Sequence, residues 1–310
     1  MPPSTALILN PHARRLRPRA ELGARIERAA EGRAQLFSTE TRADLELACA
    51  KLASQPPDQV LVCGGDGTVT SAITALWRAF GQRPLPRLVL VPAGTVCTTA
   101  RRWSGRVAPV RLVEKALAGA LAATSRQPTL AVSEHGAETR LGFTFGTGLV
   151  ARFFERYDAE ERRGRLCAAA IVTRTLLGSV VGDAYARSVL EPVACTLRVD
   201  EADLPASAFS LVIASVLKNV GLGMRVTYRA GEDPMRPHVV ASALAPRRLG
   251  PQLWRALLGL RLRGESGFDG LVRELGVRFP EPTSYVLDGD RFVASALTVR
   301  AGPVVEIAVP

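Results

Sequence analysis

The sequence has no CxxC pair: Cys49, Cys63, Cys97, Cys167 and Cys195 are scattered, and His12, His135 and His238 stand apart from them. That spacing excludes a zinc constellation, and free thiols fit a reducing compartment. Long apolar runs are also missing. The most apolar stretch, residues 166–181, is broken by Arg174, and residues 209–217 are too few to span a bilayer. The first basic residues follow the Ala6-Leu7-Ile8-Leu9 run instead of preceding it, so no secretory signal is read there. A Walker A lysine motif, a protein-kinase catalytic loop and an internal repeat are all lacking. Lysine itself is scarce, with only Lys51, Lys115 and Lys218 among 40 basic residues.

What is present is a chain of 310 residues, 47% hydrophobic and 22% charged, which excludes disorder, collagen-like repeats and coiled coil. Its length favours two domains over one. The formal net charge of +11 is carried almost entirely by arginine. Such a surface suits anionic membranes, nucleic acid or phosphorylated ligands, and a codon bias towards arginine would produce it equally well. Charge alone does not choose the partner.

Short apolar runs alternate with amphipathic stretches over the first 128 residues. Strands are expected at 6–10, 35–39, 59–64 and 87–92, and helices at 21–30, 44–53, 69–80 and 110–123. This is the βαβα rhythm of a parallel sheet. From residue 129 the pattern turns strand-like, with a helical block at 151–181, a strand at 224–229 and an amphipathic segment at 249–263. The fold expected is an α/β domain over 1–128 with a parallel sheet, then a β-rich, sandwich-like domain over 129–310. The closing strand is a candidate to return to the first domain.

The sharpest signal is Gly64-Gly65-Asp66-Gly67-Thr68, directly between a strand and a helix. Glycines let backbone N–H groups approach a polyphosphate without Cβ clashes, and a helix start carries partial positive charge. Asp66 is able to bind a metal or to accept a hydroxyl proton. Two further loops, Asn10-Pro11 and Pro92-Ala93-Gly94-Thr95, follow strands of the same sheet, at the edge where open α/β sheets bind ligands.

Together with a late Asp288-Gly289-Asp290, these loops resemble the diacylglycerol kinase catalytic-domain family, which includes bacterial lipid kinases and sphingosine and ceramide kinases. The resemblance spans nearly the whole chain, in order and spacing. NAD kinases share the GGDGT loop. The resemblance implies magnesium-dependent transfer of the γ-phosphoryl group of ATP to a lipid hydroxyl, with ATP held between the two domains. It implies that Asn10, Gly64, Gly65, Gly67, Thr68, Gly94 and Thr95 bind the nucleotide, that Asp66 serves the metal or reaction centre, and that Asp288 lies near the acceptor hydroxyl. Diacylglycerol or a sphingoid or ceramide-type lipid is the implied acceptor, at the cytoplasmic face of an anionic membrane. Nucleic acid is not an expected partner, and a homodimer is compatible with the resemblance. Two rival readings are a non-catalytic lipid- or nucleotide-binding homologue and a soluble enzyme of the NAD-kinase type.

Several positions depart from the family pattern. His12-Ala13-Arg14-Arg15 follows Asn10-Pro11 where a Ser-Gly pair is common, and Cys97 and Thr98 stand where Asn and often Asp occur. Ser71 and Val150 replace acids, and Gly231-Glu232-Asp233-Pro234 replaces an acidic DG turn. Gly146-x-Gly148-x-x-Ala151 fits a dinucleotide fingerprint, but without a surrounding βαβ unit. The arginine-rich segments 152–165 and 247–263, with Phe153, Phe154, Tyr157 and Trp254, offer either an anionic-bilayer face or an ordinary pair of core-packed helices.

Overall fold

The computed structural model describes residues 3–13, 20–94, 97–121, 123–161, 164–264 and 267–310. They divide into two compact units, the first formed by Met1–Gln127 with Val304–Pro310 and the second by Pro128–Pro303.

In the first unit β1 (Thr5–Leu9), α1 (Ala20–Ala30), β2 (Gln35–Ser38), α2 (Arg42–Ser54), β3 (Gln59–Gly64), α3 (Asp66–Phe80), β4 (Arg87–Pro92), α4 (Thr98–Ser104) and α5 (Pro109–Leu117) follow one another. The strands are parallel in the order β4-β3-β1-β2. Because side chains alternate along a strand, Leu7, Leu9, Leu61, Cys63, Val89 and Val91 share one face. There they bury against Ile26 and Ala30 of α1 and Leu112, Val113 and Ala116 of α5. Helices α2 and α3 pack against each other. The turns after β1, β3 and β4 therefore lie together at the carboxyl ends of adjacent strands, which is what positions the site. Helix α5 stops at Leu117, short of the expected residue 123, because Gly119 turns the chain at φ 69°.

The second unit contains β5 (Ala123–Glu134, which begins in the first unit), β6 (Thr139–Gly142), β7 (Thr144–Gly148), α6 (Leu149–Ala159), α7 (Arg165–Val181) and α8 (Ala184–Leu190). Then come β8 (Val193–Ala194), β9 (Thr196–Val199), β10 (Ala202–Asp203), β11 (Ala208–Phe209), β12 (Leu211–Ser215), β13 (His238–Ser242), α9 (Pro246–Leu249) and α10 (Leu253–Leu258). The unit closes with β14 (Gly267–Leu271), β15 (Glu274–Leu287) and β16 (Asp290–Val309), whose last residues run into the first unit, where Ile307 pairs parallel with Leu88 of β4. Strand β15 changes partner along its length: Leu275–Arg278 pair with β9 and Val286 and Leu287 pair with β7, with a register shift between Arg278 and Thr283. Both stretches belong to the same sheet, and the bulge between them bends the strand.

Two local expectations fail in this unit. Residues 224–229 form turns and no strand, because Gly221, Leu222 and Gly223 all take positive φ and Thr227 folds back to donate to the Leu217 carbonyl at 2.7 Å. The segment 249–263 is not one amphipathic helix, since Gly250-Pro251 converts it to a 3-10 turn between the short α9 and α10. The Gly146-x-Gly148 pair ends β7, which is antiparallel to both β12 and β15, so the dinucleotide reading has no βαβ unit around it.

Candidate active site

Asn10, one residue past buried β1, closes a tight turn by accepting the His12 amide on Oδ1 at 2.9 Å. Its Nδ2 donates to Oγ1 of Thr68 at 2.9 Å, so the first loop is fastened to the first turn of α3. Thr68 in turn packs over Gly64, where a Cβ would lie 2.4 Å from the Thr68 Cβ. Glycine is therefore required at the strand end for the threonine to reach Asn10.

Gly65 is the N-cap of α3 and offers no side chain, so Asp66, Gly67 and Thr68 form a first turn whose amides have no acceptor within the helix. Residues 65–68 are half exposed between buried Gly64 and buried Val69. Amides of this kind, at the positive end of a 15-residue helix, present partial positive charge that suits an anion such as phosphate. The third loop presses onto the second. Gly94 donates its amide to the Gly64 carbonyl at 3.1 Å, and a Cβ on Gly94 would lie 2.6 Å from the Gly65 Cα.

Cys97 explains how this loop tolerates a departure from the family pattern. It caps α4 in the left-handed region, φ 49° and ψ 48°, a conformation that Asn adopts more readily than Cys. Its buried sulfur accepts the Gly94 amide at 2.8 Å and donates towards the Gly64 carbonyl at 3.7 Å. The thiol thus holds the loops against each other from inside. Burial pushes the neighbouring Cys63 thiol up to about 12, with Cys97 adding to the effect.

Asp66 sits at the first position of α3 and its Oδ1 accepts the backbone amide of Thr99 in α4 at 2.9 Å. Sequence reasoning had no means of finding Thr99, since a backbone donor leaves no mark in residue type. Among the described residues no group of three or more His, Cys, Asp and Glu side chains converges on a metal site. A magnesium ion carried in by a nucleotide needs only one or two protein carboxylates, the phosphates and water supplying the rest, and Asp66 fits that requirement. Thr95 lies outside the described residues.

In the second unit, Asp288 and Gly289 form the two-residue turn between β15 and β16, both with positive φ, 50° and 98°. This is the Asp-Gly hairpin geometry, and it carries a further constraint. Asp288 Oδ2 accepts the Phe143 amide at 2.9 Å and Oδ1 the Thr144 amide at 2.8 Å, while the Asp288 amide donates to the Thr144 carbonyl at 2.9 Å. The carboxylate is thereby oriented by the entrance to β7. Phe154 of α6 lies over Gly289, 3.3 Å from where a Cβ would be, and its ring meets Phe153 and Tyr157 edge-on. Val150, at the place of a family acid, is partly buried and packs against the apolar cluster of Leu211, Ile213 and Leu249, and Ser71 is exposed on α3.

The first unit is thus a parallel α/β domain with a glycine-rich strand-to-helix turn and one carboxylate at its rim. Residues 4–127 match the model of the diacylglycerol kinase catalytic domain, the family that the three loops of the first unit resemble. No curated protein matches the sequence. The fold is similar to that of a diacylglycerol kinase from Bacillus anthracis str. Sterne, at 16% identity and a TM-score of 0.63 over 99% of this chain and 97% of the other. It is also similar to an NAD kinase from Archaeoglobus fulgidus solved in complex with ATP, at 14% identity and a TM-score of 0.51 over 98% and 93% of the two chains.

Proposed function

We propose that the protein is an ATP-dependent lipid kinase that transfers the γ-phosphoryl group to the hydroxyl of diacylglycerol or of a sphingoid or ceramide-type lipid. The observation that carries this reading is the cradle of the first unit, in which Asn10, Thr68, Gly65 and Gly94 are locked together around the open first turn of α3, within a segment matching the diacylglycerol kinase catalytic domain. The amides of Gly65, Gly67 and Thr68 receive phosphate oxygens, and Asn10 keeps Thr68 in register for them. Asp66 is the residue that holds magnesium, which when bound offsets phosphate charge. Asp288, oriented by two amides, is the acid assigned to the acceptor hydroxyl. Phosphoryl transfer asks mainly for positioning and charge stabilisation, so this small set of groups is sufficient.

The test is transfer of label from γ-labelled ATP, with magnesium, to diacylglycerol, sphingosine and ceramide presented in mixed micelles, with NAD as a separate acceptor. Phosphorylated lipid that vanishes in Asp66→Asn supports the reading. No lipid product, while a known lipid kinase labels the same micelles, overturns it, and labelled NAD alone would give the activity to the NAD-kinase type. A second reading, nucleotide binding without catalysis, is favoured by one observation: Val150 packs against an apolar cluster where the family places an acid. It predicts stabilisation by ATP with no transfer to any acceptor.

A further inference from the structure

Helix α7 presents its side chains the wrong way round for a helix whose outer face meets water. The residues it buries are Ala168, Ile171, Thr175, Gly178 and Ser179, mostly small or hydroxylated. Leu166, Leu177, Val180 and Val181 are exposed by 88, 66, 73 and 81%. With Ala169, Ala170 and Thr173, also exposed, they form one stripe along 17 residues that contain no acid. Small residues on the protein side allow close approach: a Cβ on Gly250 would lie 2.2 Å from the Ser179 Cβ. A soluble amphipathic helix does the opposite, placing large apolar groups inward. Contiguous exposed apolar surface marks a place of contact.

Beside this stripe the second unit gathers cations. A cavity of about 280 Å³ between α6 and α8 is lined by Arg152, Glu155, Arg156, Ala159 and Ser188. Arg156 donates to the Ser188 hydroxyl at 3.1 Å, and Arg152 donates to the Glu191 carbonyl. Tyr185 of α8 carries two guanidinium groups on its ring, Arg156 at 5.3 Å and Arg174 of α7 at 3.9 Å from the centroid. The one acid of the lining, Glu155, faces Arg291 at 4.0 Å, and Arg291 also bonds Asp158 at 3.1 Å. These arginines are thus propped in place at the margin of an apolar stripe.

The geometry points to α6, α7 and α8 as a docking site for an anionic phospholipid bilayer, with a headgroup phosphate in the Arg152 and Arg156 cavity and the α7 stripe at the level of the upper acyl chains. Charge complementarity selects this occupant over a second copy of the chain, because α7 and α8 carry arginine and no acid, while the two acids of α6, Glu155 and Asp158, are engaged by Arg291. A helix with apolar and cationic surfaces side by side binds the headgroup zone of such a membrane. Of the two readings of 152–165, a bilayer face or a core-packed helix, α6 favours the second, since it ends at Ala159 with its aromatic residues half buried, whereas α7 carries a long exposed apolar stripe. The inference rests on the lipid-kinase reading for its purpose, whereas its test reads binding alone.

The full-length protein is floated without nucleotide on vesicles of phosphatidylcholine alone or mixed equally with phosphatidylglycerol. Binding is expected on the mixed vesicles, weakened by salt. A Leu177→Gln and Val181→Gln double variant is expected to bind at least about tenfold more weakly, and Arg156→Gln about fivefold more weakly. Both variants alter exposed positions, and an unchanged midpoint of unfolding shows that they remain folded. Wild-type binding by the double variant overturns the proposal, as does equal binding to both vesicle types. Stabilisation of the wild type by inorganic phosphate, lost in Arg156→Gln and unaccompanied by vesicle binding, overturns it in favour of a soluble phosphate ligand. A concentration-dependent dimer abolished by the double variant, again without vesicle binding, overturns it in favour of a second copy. Vesicle binding with no kinase activity in any assay leaves the docking site standing and removes only the kinase reading.

Discussion

Asp66 and Thr99 are joined by a hydrogen bond of 2.9 Å in which the carboxylate accepts the amide at the second position of α4. One residue thereby fastens together α3 and α4, the helices that follow the second and third loops. This separates two consequences of changing it. Asparagine retains a carbonyl oxygen that accepts the same amide, and Asn and Asp are nearly equivalent in capping positions. Asp66→Asn is therefore expected to unfold within about 1 kcal/mol of the wild type. The negative charge is lost, however, so stabilisation by magnesium plus ATP should disappear and turnover should fall by about a hundredfold or more. Thermal-shift titration beside a turnover assay checks this; full activity in Asp66→Asn would remove the residue from the mechanism.

The contact between Gly65 and Gly94 predicts two different outcomes for the same substitution. At Gly94 an added methyl would lie 2.6 Å from the Gly65 Cα, a backbone atom that has no rotamer to escape into. At Gly65 the nearest atom is 3.6 Å away, an ordinary contact, and φ is −91°. Gly94→Ala should thus cost about 1–3 kcal/mol of stability, as overpacking does. Gly65→Ala should leave stability nearly unchanged while weakening ATP, because its methyl stands where phosphate must approach the amides. Urea denaturation and ATP titration of both variants decide the matter, and equal stability losses would contradict the geometry.

The parallel sheet of the first unit was legible because β1, β3 and β4 are each a continuous apolar run ended by Asn-Pro, Gly-Gly or Pro-Ala-Gly, and these local signals coincide with the global fold. The glycine loop and Asp66 were legible for the same reason. The bonds that make a site of them were not. Thr99, Phe143 and Thr144 act through backbone amides, which any residue supplies, and Cys97 acts through a left-handed conformation that its residue type does not announce. Residues 224–229 misled because alternation alone reads as a strand, whereas the positive φ of three preceding residues redirects the chain. The reversed face of α7 escaped as well, since periodicity reports that a helix is amphipathic without saying which side the protein covers.

Three buried thiols tie stability to alkaline pH. Burial pushes Cys49 and Cys63 up to about 12 and Cys195 up to about 11, from an ordinary 9.0. Between those values the unfolded chain releases protons that the folded chain keeps. The unfolded state then binds fewer protons, so stability is full below pH 9 and falls as pH rises towards 11 and 12. The loss should be about 1 kcal/mol per pH unit for each thiol in that window. Denaturant titrations across the range test it, and a flat profile would mean that the thiols ionise in the folded protein. Native alkylation at neutral pH should label Cys167, the half-exposed thiol, well before these three.

Asp288 makes the strongest contrast with Asp66, because both of its oxygens are engaged by main-chain donors, Phe143 at 2.9 Å and Thr144 at 2.8 Å. Asparagine supplies only one acceptor there, and its amide group would confront one of the two N–H donors. Asp288→Asn should therefore lose about 1–3 kcal/mol of stability, the cost of a backbone donor left without an acceptor. Turnover should fall as well if the same carboxylate serves the acceptor hydroxyl, and the split between kcat and KM tells the roles apart. A merely structural Asp288 predicts activity that recovers when the variant is assayed at low temperature, well below its unfolding midpoint. A catalytic one predicts a kcat that stays low while ATP still stabilises the folded protein, because the nucleotide cradle of the first unit is untouched. Asp66→Asn should show the reverse, an intact fold with the ATP response gone, so the two variants together assign one acid to nucleotide binding and the other to the acceptor.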